Sequence, residues 1–447
     1  MAIVNLKKTS IMSKNLDVVN PNAAGIDIGS KSFYVDAGEE EVKIFPTYTE
    51  GCHALVSYLK EKNVNTVAME STGVYWIILY GILEEAGIDV YLVNGRDVKN
   101  VPGRKSDVKD CQWIRQLHRY GLLRKSFIPP DHIRRMRNYI RLRQDHIRAQ
   151  ATQVHLMQKA LTQMNIRLTE VISDIMGASG SQMITAILNG ERDPNLLVDY
   201  CHQSILKTKR ELVIKALEGE YREEHLFALK QAYNTWNYYQ ALIFECDKEI
   251  EKVLKEMSKD KSDIPQITKR KAIRYNKPNI DNLSQSLLKL TDGKDPIGIA
   301  GITDYSFLQI VSEVGVDMTA WKTEKHFVSW LKLAPLKSSS GNVSRRISVR
   351  RSNKASQLFR NIAQGLLTSK QLALGSFGRR IRAKRGGGVA IKAIARKIAC
   401  YYYRVMTKGE AFVEQGILKY ETQLNEQKKK YLEKMATKFN LQLVPAR

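Results

Sequence analysis

Between residues 133 and 175 an apolar side chain returns every seven positions, at Ile133, Ile140, Ile147, Val154, Leu161, Leu168 and Ile175. Met136, Met157, Met164 and Val171 supply much of a second seam, and neither Pro nor Gly interrupts the run. A helix of that length cannot bury its stripe alone, so the spacing predicts a long coiled-coil helix with a partner. A second stripe, Leu226, Leu229, Tyr233, Trp236, Tyr239, Ile243, Cys246, Ile250, Val253 and Met257, keeps three-to-four spacing. It suits packing antiparallel to the first helix or pairing with another subunit, and its aromatics read as core or interface rather than a base-stacking platform. Between the two, Ala178-Ser179-Gly180 and residues 190–194 mark a break with a small helical insert. The first half of the long helix carries Arg134, Arg135, Arg137, Arg141, Arg143 and Arg148 against one acid, Asp145. Charges of one sign repel, so this face is either solvated or turned toward phosphates.

Residues 21–123 follow a different rhythm. Ile26 and Ile28 alternate with Gly25 and Asp27, Gly29-Ser30 breaks the run, and Phe33 and Val35 resume it, as in two paired strands with a tight connection. Burying an unpaired carboxylate is costly, so Asp27 must be paired, hydrogen-bonded, bound to a cation, or merely closing a turn. An edge strand at 42–45, a helix at 52–62, a strand at 66–70, a helix at 74–86, a strand at 89–93 and a helix from 107 onward complete a mixed α/β sheet of ribonuclease-H-like outline. Residues 94–106, rich in Gly, Lys and Arg, read as a loop.

The net charge is +25, and 447 residues leave room for two or three domains. Such a charge implies a polyanion, nucleic acid before an acidic membrane. The best apolar run, 74–83, falls short of a bilayer span, and the first 20 residues lack the apolar core of a secretion signal, so a cytoplasmic protein without membrane contact is expected. Cys52, Cys111, Cys201, Cys246 and Cys400 form no CxxC pair, which argues against a zinc module or a disulfide framework.

From residue 325 to 408 there is no Asp or Glu, while Lys and Arg number 20, so the polyanion is expected there. Candidate contacts in that stretch are Lys337, Arg345, Arg346, Arg350, Arg351, Lys354, Arg379, Arg380, Arg382, Lys384 and Arg385, joined by Arg134, Arg135, Arg137 and Arg141 of the long helix. The basic part opens at Pro296 and runs through a Gly- and Ile-rich stretch into a helix, a turn at Gly315 and a second helix near 324–333, a shape suited to holding a phosphodiester at a helix N-terminus. Beyond Glu410 a charged amphipathic tail reads as helix.

Four acids of the first part stand where chemistry would need them. Asp27 lies in the first strand, Glu70 ends a buried strand before Ser71-Thr72-Gly73, and Asp107 and Asp110 sit three apart on one face of a helix start. Gathered together they would repel unless divalent cations neutralise them, and hard cations such as Mg²⁺ prefer oxygen. Two such ions about 4 Å apart would activate the attacking and leaving oxygens of a phosphodiester. Asp107 alone is equally an acid favoured by the helix dipole. A second candidate is Ser338-Ser339-Ser340-Gly341-Asn342, which reads as a flexible loop, yet its flanking Arg pairs could hold a phosphate for a nucleophilic serine.

Three blocks in order, Gly-Ile-Asp-Ile-Gly-Ser-Lys (25–31), Ala-Met-Glu-Ser-Thr-Gly-Val-Tyr (68–75) and Lys-Ser-Asp-Val-Lys-Asp-Cys (105–111), resemble those of the DEDD transposases of bacterial insertion sequences, of the insertion-sequence-110 type. Residues 298–315 and 327–341 resemble the second conserved part of that family. The resemblance implies an α/β RuvC-like N-terminal domain, a long coiled-coil middle and a mainly α basic C-terminal domain. It implies DNA-strand exchange directed by a structured noncoding bridge RNA, on donor and target double-stranded DNA, in a homo-oligomer from dimer to tetramer held through the coiled coil. It also implies Mg²⁺, or Mn²⁺ in its place, and a nucleoid-associated bacterial setting. By position the four acids become the catalytic and metal-holding Asp27, Glu70, Asp107 and Asp110. The family serine precedes a Gly after the Ala-Pro block, which selects Ser340 over Ser338 and Ser339.

Domain boundaries follow: a tail at 1–20, the RuvC-like DEDD domain at 21–125, a coiled-coil region with a helical insert at 126–262, a linker at 263–295, the serine transposase domain at 296–412 and a charged helical tail at 413–447. Cys111 stands where the family often has Ala, Thr303 stands where its hairpin often has a second Gly, and the middle region is longer than in compact members. Competing readings are a metal-dependent nuclease or resolvase without a covalent intermediate, a sugar-kinase or actin-like ATPase suggested by the first block, and a pure nucleic-acid scaffold.

Overall fold

A computed structural model describes residues 17–39, 41–98, 106–264, 275–335, 337–340, 343–346, 353–369 and 372–442, with the side chains of 96–97, 337–340, 343–346, 410–421 and 424 excepted. The chain divides between residues 128 and 129 into two compact units.

In the first unit, β1 (Ala23–Ile28) pairs antiparallel with β2 (Ser32–Asp36), and β2 with β3 (Lys43–Pro46). On its other edge β1 runs parallel to β4 (Thr66–Glu70), and β4 parallel to β5 (Asp89–Val93), giving the order β3-β2-β1-β4-β5. This is a mixed sheet of ribonuclease-H-like start, as the alternation predicts. Helices α1 (Thr49–Glu61) and α2 (Trp76–Glu85) share the larger core with Ile26, Ile28, Val35, Val67 and Met69. Helix α3 (Asp107–Arg119) packs on β1 and β2, and its Ile114 joins a smaller cluster with Ala68, Val93 and Val98.

Strand alternation puts Gly25 and Asp27 on one face of β1 and Ile26 and Ile28 on the other. A methyl group added at Gly25 would collide with the backbone oxygen of Cys111 and the backbone nitrogen of Arg115. The bare glycine is therefore what lets α3 lie directly against β1. Arg115 secures the contact, donating from Nε to Ala23 O at 3.0 Å. Neither partner in this clash is a flexible side chain, so Gly25→Ala is expected to destabilise the first unit by about 3 kcal/mol. Urea denaturation of the variant checks this; an unchanged midpoint would show that α3 can withdraw freely.

In the second unit, α4 (Asp131–Gln163) packs along α7 (Glu223–Ser258). Arg135 meets Glu256, Arg143 meets Asp247 and Gln150 reaches Trp236 O, so the pair is antiparallel and lies within one chain. The expected single helix to residue 175 stops at Gln163. Asn165 takes a left-handed conformation (φ 57°), which Asn tolerates, and Arg167 N bonds to Ala216 O at 2.7 Å. Leu168, Val171 and Ile175 keep the seven-residue spacing because they extend the core that Met157, Leu161 and Met164 already share with Ile184, Ile187 and Leu217, contributed by α5 (Ala178–Leu188) and α6 (Gln203–Leu217).

The stretch 263–295, expected as a linker, contains α8 (Leu283–Leu290), whose Leu283, Leu287, Leu288 and Leu290 are buried. Its leucines recur at helical spacing, a signal masked by the polar residues around them. Helices α9 (Asp304–Val314), α10 (Glu324–Trp330), α11 (Lys354–Thr368) and α13 (Gly387–Lys408) meet in a core built on Phe307, Phe327, Phe359 and Tyr402, with ring centroids 5.8–6.3 Å apart around Tyr402. Helix α12 (Ala373–Arg385) precedes α13, and α14 (Glu410–Lys438) follows it. The serine cluster is not a free loop: β6 (Lys337–Ser340) pairs antiparallel with β7 (Val343–Arg346), Ser340 opposite Val343. Residues 341–342, which join them, lie outside the described residues.

Candidate active site of the first unit

Asp27 sits near the end of β1, Glu70 at the end of the parallel neighbour β4, and Asp107 and Asp110 in the first turn of α3. The close approach at Gly25 brings that helix start to the strand that carries Asp27. Ser106, not Asp107, caps α3, its hydroxyl accepting from Lys109 N at 3.4 Å. The capping role is thus filled and does not account for either aspartate. Glu70 lies against Gly95, where any side chain would overlap its carboxylate.

Electrostatics tie the four together. Burial pushes the Asp27 carboxyl up from the ordinary 3.8 to about 6, and the charges of Asp107, Asp110 and Glu70 push in the same direction. Three acids from two other elements therefore bear on the one in β1. As they stand, no three of His, Cys, Asp and Glu among the described residues are grouped so as to hold an ion. The donor set nevertheless suits a hard dication in its chemistry, being all carboxylate oxygen and mutually repulsive.

The candidate nucleic-acid contacts are placed less uniformly. Arg134 pairs with Asp131 at 3.2 Å, and Arg135 with Glu256. Arg137 donates to Ser312 O and Glu313 O at 3.0 and 2.8 Å, while Arg141 grips the Glu313 carboxylate with two bonds of 2.9 and 2.8 Å. These guanidiniums hold α4 to α9. Lys354 is kept below the usual lysine range by burial and by Arg141. Arg379 donates to Ser369 O, and Arg380 reaches Gln427 at 3.4 Å. Arg380, Arg382, Lys384 and Arg385 are exposed along α12. The side chains of Ser340, Lys337, Arg345 and Arg346 lie outside the described residues, as do Arg350 and Arg351 altogether. Sequence reasoning missed Gly25 and Gly95; the signal for Gly25 was its place two residues before an acid on the same strand face.

A parallel–antiparallel sheet of this order, with acids at the ends of two neighbouring strands and a basic, mostly helical unit after it, has the outline of a ribonuclease-H-like fold joined to a polyanion-binding part. Two family models carry that further: the DEDD transposase model of IS110 elements matches residues 24–166, and the transposase model of the IS116/IS110/IS902 family matches residues 298–375. The chain belongs to the IS110-type DEDD transposases. No curated protein matches it. Among the described residues no helix is long and apolar enough to cross a membrane.

Proposed function

We propose that this transposase is an RNA-guided, site-specific recombinase that cleaves and exchanges DNA strands through the DEDD site and a serine nucleophile, Ser340. The observation that carries the reading is the raised Asp27 carboxyl, pushed up first by burial and then by the charges of Asp107, Asp110 and Glu70, an excess of negative charge that a bound dication would relieve. Asp27, Glu70, Asp107 and Asp110 would hold Mg²⁺ or Mn²⁺, the two helix acids turning inward from the first turn of α3. Bound there, the metal would polarise a phosphodiester and stabilise charge on its attacking and leaving oxygens.

In the step assigned to Ser340, Oγ attacks phosphorus and the P–O bond to one deoxyribose breaks. The serine proton passes to solvent, and the departing oxygen takes one up. The ester is kept as phosphoserine, so a hydroxyl of another strand can reverse the step without an external energy source. The acid-free stretch 325–408 would bind donor and target duplexes through their phosphates, and base pairing with a bridge RNA would choose the sequences. The inner seam of α4 is covered by α7, so a dimer or tetramer would use outer residues such as Leu142, Leu156, Phe227, Tyr238 and Phe244, all exposed.

The test is a covalent trap. End-labelled donor DNA, incubated with protein, its copurifying RNA and Mg²⁺ and then denatured, is expected to leave label on the wild-type chain and none on Ser340→Ala. Cleavage that persists in Ser340→Ala with no adduct in either protein would instead make this a metal-dependent nuclease.

A further inference from the structure

We propose that the cleft between α12 and α13 captures an unpaired DNA base. The cleft is a cavity of about 540 Å³, within the roughly 300–1,000 Å³ typical of small-molecule pockets. Phe377, Ile381 and Ala393 form its apolar wall; Arg380, Lys384 and Arg385 form its rim. The Lys397 ammonium stands 4.5 Å from the centroid of the Phe377 ring.

Two properties together select the occupant. An apolar wall has no use for a bare phosphate, and a rim of three cations repels no anion but gives a lipid tail or apolar peptide nothing to pair with. A nucleobase joined to its phosphate combines a flat apolar body with a negative charge. The surrounding stretch, with 20 cations and no acid from 325 to 408, supplies the attraction. Gly386, which joins the two helices, has φ 83°.

Another large cavity of this unit, about 570 Å³ beside Trp321 and Tyr403, contrasts with it. Asp292 and Asp317 stand in its wall, and Lys261 is already bonded to Asp292 at 2.8 Å. DNA is the occupant because a strand-exchange enzyme must hold strands unpaired, so the proposal rests on the reading of this chain as one.

The experiment uses the full-length protein in EDTA, where binding is read without cleavage. Three duplexes are compared by fluorescence anisotropy at one salt concentration: fully paired, with one bulged base, and with an abasic bulge. The bulged base is expected to bind about tenfold tighter than the abasic bulge, the scale of one base–aromatic contact. Ala393→Trp, which fills the cavity, is expected to remove that difference while paired-duplex affinity stays within about twofold. Equal affinity of the wild-type protein for the bulged and abasic duplexes overturns the proposal without recourse to any variant. A preference seen only with an RNA bulge overturns it too. The binding comparison is made in EDTA and the covalent trap in Mg²⁺, so a failure of base capture and a failure of the serine mechanism are read in different assays.

Discussion

Asp27→Asn is expected to slow DNA strand cleavage by about 10³-fold or more while making the metal-free protein more stable. A bound dication supplies several kcal/mol of transition-state charge stabilisation, and each 1.4 kcal/mol is a factor of ten, so losing about 4 kcal/mol accounts for the rate. The stability gain follows from the same carboxylate. Folded Asp27 titrates near 6 against an ordinary 3.8, chiefly through burial and then through Asp107, Asp110 and Glu70. A raised carboxyl penalises the charged folded form. The penalty is absent below pH 3.8, grows as pH rises and is complete above about 6. The gap corresponds to about 3 kcal/mol, which solvent screening at this half-exposed site reduces to about 1 kcal/mol. In EDTA the Asn variant should therefore gain about 1 kcal/mol over the parent at pH 8 and nothing at pH 4, read by urea titration. Adding Mg²⁺ at pH 8 should raise the stability of the parent and leave the variant unmoved. A variant that cleaves at the parental rate, or keeps its advantage at pH 4, would remove Asp27 from the site.

The elements of the first unit were legible because their signals are local. Short apolar runs marked the strands at 66–70 and 89–93 to the residue, and the three-residue spacing of Asp107 and Asp110 marked the helix face that carries both. What the alternation could not display is the distance between β1 and α3. That distance depends on a missing side chain at Gly25 and on backbone atoms some 90 positions later, at Cys111 and Arg115. Elsewhere periodicity misled. The seven-residue spacing ran past Asn165 because the segment beyond the left-handed turn packs into the same core as the end of α4, and it is that turn that ends the helix. Ser338–Ser340 looked like a loop because serine has no strong preference, yet the pairing with Val343–Arg346 makes it a strand. The arginines of α4 looked like one solvated or phosphate-facing run, while Arg137 and Arg141 have partners about 170 residues away. Arg143 is the extreme case.

Arg143 occupies the seam of α4 between Met136 and Gln150, a position the heptad would give to an apolar residue, and it is only 1% exposed. Its guanidinium reaches Asp247 Oδ1 at 2.5 Å, donates to Tyr305 Oη at 3.0 Å and to Asn276 O at 3.2 Å, and Asp247 in turn accepts from Asn279 N at 2.9 Å. One buried pair thus joins α4, α7, the segment before α8 and the first turn of α9. Replacing Arg143 with Met leaves Asp247 buried with its backbone donor alone, and is expected to destabilise the second unit by about 3–5 kcal/mol. Arg143→Met combined with Asp247→Leu removes both charges and should restore most of the stability, since the pair is a registration device more than a source of free energy. Urea denaturation followed by helical circular dichroism distinguishes the outcomes. If the double variant is as unstable as Arg143→Met alone, the bonds to Tyr305 and Asn276, rather than the burial of an unpaired Asp247, hold this junction together.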